Sequence, residues 1–242
     1  KGKKVLLTCS EALQPKACNE VYRYGGKPIS LPLIKLTLKE DFYEDLSNFS
    51  WIVISSPSAA KAFIDFINVN QVDRRIIPSI MTCGKETSNE LKKFNIHVDA
   101  EPEKNFSAQE LVKLAHSLLS KNDNVLRLRS DKAGSALAKK LLETQAQVID
   151  SVIYENSQIF HKILPEFDII FFSSSSTVEN FIEQWGPACL KNKILLSIGQ
   201  PTAKTLLKYK LRPTLIADES TVKGAMDSLA SFIVAQDLLS SD

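Results

Sequence analysis

The stretch WIVISSPSAAKAFIDFI, residues 51–67, returns at 169–185 as IIFFSSSSTVENFIEQW, so that Ser56 falls on Ser174, Phe63 on Phe181 and Ile64 on Ile182, an offset of 118 (181 − 63). A second stretch, CGKETSNELKKFNI at 83–96, returns as IGQPTAKTLLKYKL at 198–211. It pairs Gly84 with Gly199, Thr87 with Thr202 and Leu91 with Leu206, an offset of 115 (199 − 84). More loosely, VLLT at 5–8 echoes VLRL at 125–128, an offset of 120 (125 − 5). All three offsets are close to half of the 242 residues, which is what an internal duplication produces. Two similar modules are expected, and the space between them is the natural place for a site.

Working outward from the repeat, short β-branched runs alternate with apolar residues at three- and four-residue spacing, the pattern of βα units around a parallel sheet. Strands are predicted at 4–8, 28–33, 51–55, 79–83, 96–99, 125–129, 148–154, 168–173, 194–198 and 213–216. Helices are predicted at 59–67, 86–94, 108–119, 134–144, 178–185, 202–209 and 222–234, and their apolar stripes read as core. Let unit d begin at 5 or 125, a at 51 or 169, b at 79 or 194, and c at 106 or 220; the chain then runs d, a, b, c, d, a, b, c. That order fits contiguous halves, 1–122 and 123–242, and equally a middle module of about 37–151 inserted into a module made of both ends. Periodicity leaves both open. No long Gly/Pro/Ser linker occurs, so the connection must be short and could be extended, 31–36 lying beside 152–155.

Composition removes several function classes. Hydrophobic residues at 44% and charged residues at 24% suit a globular protein, and no run of about 18 apolar residues could span a membrane. The start, KGKKVLLTCSEALQ, has an apolar run too short for a secretory leader. A net charge of +2 argues against a strongly basic nucleic-acid binder. Cys9, Cys18, Cys83 and Cys189 have neither CxxC nor metal spacing, so reduced thiols in the cytoplasm are expected. His97, His116 and His161 are scattered, so no metal site is predicted. A hydrolase elbow, a Walker loop and a GxGxxG turn are all missing. Paired thiols working as acid and base would need matched cysteines, yet Cys83 aligns with Ile198.

The chemistry-bearing residues gather where strands give way to helices. Ser55, Ser56 and Ser58 follow one copy of the repeated strand, and Ser173, Ser174 and Ser176 the other. Free N–H groups and the helix dipole favour an anion there, although the same serines could simply cap helices. Gly84-x-x-Thr87 and Gly199-x-x-Thr202 repeat the arrangement one unit later, with Gly for a tight turn and Thr offering a hydroxyl in the first helical turn. Arg129 ends the VLRLR strand and could hold a carboxylate bidentately or an intramolecular ion pair; Arg127, deeper in the strand, reads as structural. Tyr154 interrupts the pattern of VIDSVIYE, and its approximate repeat partner is Leu33. It is either a specialised residue or a strand-edge cap.

Over essentially the full chain these segments resemble the uroporphyrinogen-III synthase family. The likeness rests on the strand-plus-SSPSAA unit at 51–60, VLRLRSDKAG leading to VIY at 152–154, DIIFFSSSSTVENF at 168–181 and IGQPTAKTL at 198–206. The resemblance implies two similar α/β domains with parallel sheets flanked by helices, joined by a two-stranded linker. It selects the discontinuous arrangement, residues 1–34 plus 155–242 and an inserted 38–151, with a cleft between. It implies a cofactor-independent lyase of tetrapyrrole biosynthesis that cyclises hydroxymethylbilane, a linear polycarboxylate, with inversion of the last pyrrole ring and loss of water. The substrate left alone closes to the type I isomer instead. Tyr154 matches the family's tyrosine assigned as the acid at the departing hydroxyl. Ser55, Ser56, Thr87, Ser174 and Thr202 match cleft-lining positions; Ser58, Arg129, Ser176 and Gly199 join them as expected substrate contacts. A monomer with no membrane or nucleic-acid partner is expected, in at most transient contact with the preceding pathway enzyme. The competing readings are a two-domain clamshell binding protein or sensor for a small anion, and an enzyme of phosphorylated small molecules.

Overall fold

The computed structural model describes residues 2–103 and 108–239. In chain order its elements are β1 (Lys4–Leu7), α1 (Gln14–Arg23), β2 (Lys27–Ser30), β3 (Ile34–Leu38), β4 (Trp51–Ile54), α2 (Pro57–Val69), β5 (Ser79–Thr82), α3 (Lys85–Lys92), α4 (Ala108–Leu118), β6 (Asn124–Ser130), α5 (Ala136–Leu142) and β7 (Gln147–Gln158). They continue with β8 (Ile169–Phe172), α6 (Ser175–Trp185), β9 (Ile194–Ser197), α7 (Gln200–Lys208), β10 (Leu215–Ile216) and α8 (Val222–Leu239). Two compact units result, Lys1–Lys35 with Ser157–Asp242, and Leu36–Asn156. The chain leaves and re-enters the first unit within β3 and β7, neighbouring strands of one sheet. Their flanking bonds, Ile159 N–H to Leu33 O at 3.0 Å and Lys39 N–H to Ile153 O at 3.0 Å, show that the two run in opposite senses.

The discontinuous unit has the sheet order β10-β9-β8-β1-β2 and the continuous unit β3-β7-β6-β4-β5. In repeat-unit terms β9-β8-β1-β2 and β5-β4-β6-β7 are the same series: b, a, d and the strand that follows d. The match extends one strand further. Leu215 pairs with Leu196 in the first unit, and Ala100 bridges Met81 in the second; both pairs differ by 115 (215 − 100 and 196 − 81). The duplication is therefore spatial, the two units being cut from one cycle at different points.

Both sheets are covered on both faces, which is why β1, β4, β8 and β9 are almost unbroken apolar runs. In the continuous unit, Ile52, Ile54, Leu126 and Leu128 pack under α2 and α3, while Val53, Met81 and Val125 pack under α4 and α5. In the other unit Val5, Leu7, Ile169 and Phe171 meet α1 and α8, and Leu6, Ile170 and Phe172 meet α6 and α7. Repeat partners are matched in burial: Phe63 and Phe181 are both fully enclosed, as are Leu91 and Leu206.

Three expectations are corrected. The strand expected at 96–99 is only the Ala100 bridge, because the Asp99 carboxylate takes the Ile80 N–H at 2.7 Å that a strand carbonyl would have received. Helix α1 was not anticipated; it buries only Gln14, Ala17 and Val21, a stripe too thin to stand out. Strand β3 was foreseen only as an extended connection. The expected start of unit c at 106 lies outside the described residues.

Candidate functional site

In each sheet all strands but β3 run parallel, so their carboxyl ends share one edge. Connections depart to opposite sides between β4 and β6 in one sheet and between β8 and β1 in the other, and such reversals open a crevice for a ligand. The serine loops after β4 and β8 each flank such a point. So do 130–134 after β6 and Thr8–Ser10 after β1, the second of which sequence reasoning passed over. The signal existed: an offset of 120 lays Ser10 on Ser130.

The serines divide by what already engages them. Ser56 caps α2, its Oγ accepting the Ala59 N–H at 3.1 Å. Ser174 forms a reciprocal box at α6, with Ser174 Oγ accepting from Thr177 N and Thr177 Oγ1 accepting from Ser174 N, each at 3.3 Å. Ser174 Oγ also lies 3.0 Å from Ser176 Oγ. Ser175 stands where Pro57 begins the other helix, and both caps keep the same extended backbone (Ser56 φ −150°, Ser174 φ −166°). The hydroxyls of Ser55 and Ser58 make no hydrogen bond among the described residues, while the Ser55 carbonyl accepts from Cys83 Sγ at 2.8 Å. Burial raises the Cys83 thiol above its ordinary value, so it stays a neutral donor.

Gly84 and Gly199 cap α3 and α7, with Thr87 and Thr202 three residues on. Both glycines are extended (φ 164° and 179°), so a left-handed turn is not what they supply. What Gly199 allows is a close approach: a Cβ there would sit 2.8 Å from Ser220 Oγ, which would have to rotate away, and this adds Ser220, unforeseen from sequence, to that edge. Thr87 and Thr202 are each only 2% exposed, more enclosed than rim hydroxyls were expected to be. Thr87 Oγ1 lies 4.0 Å from Cys83 Sγ. The Thr202 hydroxyl has no partner among the described residues and is not among the sealed polar atoms, so it meets solvent.

Arg129 takes the ion-pair role of the two considered. Its Nε donates to Asp150 Oδ2 at 3.0 Å and its Nη1 to the carbonyls of Ser130 (2.9 Å) and Ala133 (3.4 Å). Arg127 Nη1 donates to the other oxygen of Asp150 at 2.8 Å, and its guanidinium reaches the Gly134 carbonyl at 3.3 Å. Burial pulls Arg127 below its ordinary value, opposed by Asp150. Two arginines on one carboxylate therefore pin the loop 130–134.

Beside that loop β7 breaks step. Arg129 pairs with Val152 but Ser130 with Tyr154, so Ile153 is the extra residue of a bulge. Alternation along β7 would send Tyr154 to the face of Asp150 and Val152. The bulge turns it to the other face, where Ile153 and Tyr154, although consecutive, join one apolar cluster with Leu126 and Leu128. Tyr154 is 8% exposed, and its hydroxyl has no partner among the described residues and is not a sealed atom. A phenol is thus embedded by its ring and open at its oxygen, at the carboxyl edge.

Among the described residues no three His, Cys, Asp or Glu are arranged to hold a metal, and no helix is long and apolar enough to cross a membrane. Two α/β units sharing one strand order, each with a hydroxyl-lined carboxyl edge, define a duplicated class of α/β protein. Within that class the chain belongs to the uroporphyrinogen-III synthase family, whose model, described as uroporphyrinogen-III synthase HemD, matches residues 17–227. The porphyrin biosynthesis protein HemD of Ruminiclostridium josui is 27% identical over 94% of the chain, which spans only 48% of that relative's length. A putative uroporphyrinogen-III synthase of Methanocaldococcus jannaschii is 23% identical, with 93% of this chain and 96% of that one covered. In fold the chain is similar to the solved uroporphyrinogen-III synthetase of Helicobacter pylori (TM-score 0.69, 18% identity, 95% and 99% covered). It is also similar to a uroporphyrinogen III synthase mutant from Thermus thermophilus (TM-score 0.62, 15% identity, 98% and 99% covered).

Proposed function

We propose that the chain is a lyase of porphyrin biosynthesis that cyclises hydroxymethylbilane to uroporphyrinogen III, inverting the terminal ring. Family membership supports the reaction class, and the observation that carries the chemistry is the bulge that presents Tyr154 with a free hydroxyl at the carboxyl edge. Tyr154 donates its proton as the C–O bond of the terminal hydroxymethyl group breaks, so water leaves and an azafulvene cation remains. Ring attack, fragmentation of the spiro intermediate and reclosure return one proton to the phenolate. One water is lost and nothing is oxidised or reduced. The polycarboxylate is met by helix-start N–H groups and by the hydroxyls of Ser55, Ser58 and Thr202, which have no internal partner among the described residues. Arg129 Nε and Nη1 are engaged within the protein, so among the described residues only its Nη2 is left to reach a substrate carboxylate. Replacing Tyr154 by Phe is expected to lower kcat for the type III isomer about 10²- to 10⁴-fold, the range of general acid catalysis, with an unchanged circular dichroism spectrum. Wild-type turnover by that variant would remove Tyr154 from the chemistry.

A further inference from the structure

A bulge is a place where register can slip, and a slip of one residue at Tyr154 would return the phenol to the opposite face of the sheet. Something must therefore hold β7 in step beyond Val152. On one edge β3 does part of this, with Lys39 N–H on the Ile153 carbonyl at 3.0 Å and Ile159 N–H on the Leu33 carbonyl at 3.0 Å. On the other edge, where the bulge lies, the bonds come from Asp131 on the loop after β6. The Asp131 N–H donates to the Tyr154 carbonyl at 3.1 Å, and Asp131 Oδ1 accepts the Asn156 N–H at 2.9 Å. The two bonds bracket Glu155 and fasten the strand on either side of it, immediately after the extra residue.

The loop bearing Asp131 is itself anchored from behind. The carbonyls of Ser130, Ala133 and Gly134 are held by Arg129 and Arg127, and both guanidiniums are braced on Asp150. Asp131 is otherwise lightly tied: its side chain is 32% exposed, and its one ion pair among the described residues, with Lys132, spans 3.8 Å. Among the described residues the one hydrogen bond its carboxylate makes is to the Asn156 N–H, which an amide oxygen could accept as well.

We propose that Asp131 is a positioning residue for Tyr154, its main chain and its carboxylate together clipping β7 in the bulged register that presents the phenol. The proposal rests on the reading of Tyr154 as the acid. Arg127, Arg129 and Asp150 act one step further back, fixing the loop from which Asp131 reaches.

The test is steady-state kinetics of the full chain with hydroxymethylbilane, using Asp131→Ala, Asp131→Asn, Tyr154→Phe and the Ala/Phe double variant. Asp131→Ala is expected to lower kcat about ten- to a hundredfold, the cost of a reacting group displaced by about 1 Å, while KM moves less than about twofold because binding groups are untouched. Asp131→Asn keeps the acceptor oxygen and is expected to recover most of kcat. The double variant is expected to be no slower than Tyr154→Phe alone, since two changes acting through one group do not add. Wild-type kcat in Asp131→Ala, no recovery with Asn, or additive losses in the double variant would overturn the positioning role. If Tyr154→Phe is slow while Asp131→Ala is normal, only the clip is wrong. If Tyr154→Phe is itself unimpaired, the acid assignment fails and the clip fails with it. Should Asp131→Ala not fold, Asp131→Glu, which moves the oxygens by one bond, carries the same expectation and the same refutation.

Discussion

Ser56 and Ser58 are two residues apart and identical in type, yet the structure gives them different physical work. Ser56 Oγ satisfies an otherwise orphan N–H at the start of α2, so Ser56→Ala is expected to cost about 1 kcal/mol of stability. Ser58 has no internal partner among the described residues. Its replacement by Ala should leave denaturant unfolding within about 0.5 kcal/mol of wild type and raise KM instead. Equal unfolding losses in the two variants would show that both are caps. This distinction was not legible in SSPSAA: sequence shows that a hydroxyl stands at a helix start, not which atom answers it. Arg129 teaches the same lesson from the other side. Its strand-end position suited a carboxylate, and only the register of β6 against β7 reveals that Asp150 already supplies one.

At the scale of elements, legibility followed the strength of the periodic signal. The most continuously apolar strands, β4, β8 and β9, were anticipated to within a residue or two, because burial on both faces leaves little room for polar interruption; β6 was anticipated as closely although Arg127 and Arg129 interrupt it. Helix α1 was missed for the opposite reason, and the strand at 96–99 was over-read because Asp99 looked like a mere interruption when it is the hydrogen-bond partner. The matched helices α2 and α6 allow a direct comparison. Phe181 meets Phe172, Phe167 and Trp185 with ring centroids 5.8, 6.4 and 5.0 Å away, whereas Phe63, in one cluster with Ile52, Leu91 and Tyr154, makes no ring contact with another aromatic among the described residues. Each change to Ala should cost about 3–5 kcal/mol, and Phe181 should cost more by about 0.5–1.5 kcal/mol for its aromatic contacts. Equal midpoint shifts in urea would argue that ring geometry adds nothing there.

The starts of β4 and β6 carry a pH-dependent tie. Asp123 accepts from Ser50 Oγ at 2.7 Å and from Ser120 N and Oγ at 2.7 and 2.8 Å, and these bonds hold its carboxyl below the usual range. A depressed folded value means that the stabilisation is present above the unfolded value, about 4. It is lost as pH falls through the folded value. Asp123→Asn should therefore be less stable than wild type at pH 7, with the gap closing as acid is added. A gap that is constant from pH 7 to pH 2 would contradict the ion's role.

Across the whole molecule, the duplication was legible in the chain's own words, while the way it is cut into units was not. The order d, a, b, c, d, a, b, c is compatible with two divisions, since local periodicity carries no information about which β strand lies beside which. The two sheets resolve this: β9-β8-β1-β2 and β5-β4-β6-β7 share one order even though the first is assembled from both ends of the chain and the second from its middle. The copies differ most at the strand following d. In one unit it is the four-residue β2; in the other it is the twelve-residue β7, which carries the bulge and Tyr154. Specialisation of one copy, on a frame both copies share, is the central claim. It is tested most directly by incubating the chain with hydroxymethylbilane and separating the product isomers. The account predicts that type III replaces the type I formed without enzyme; type I alone, appearing at the rate seen in buffer, would contradict it.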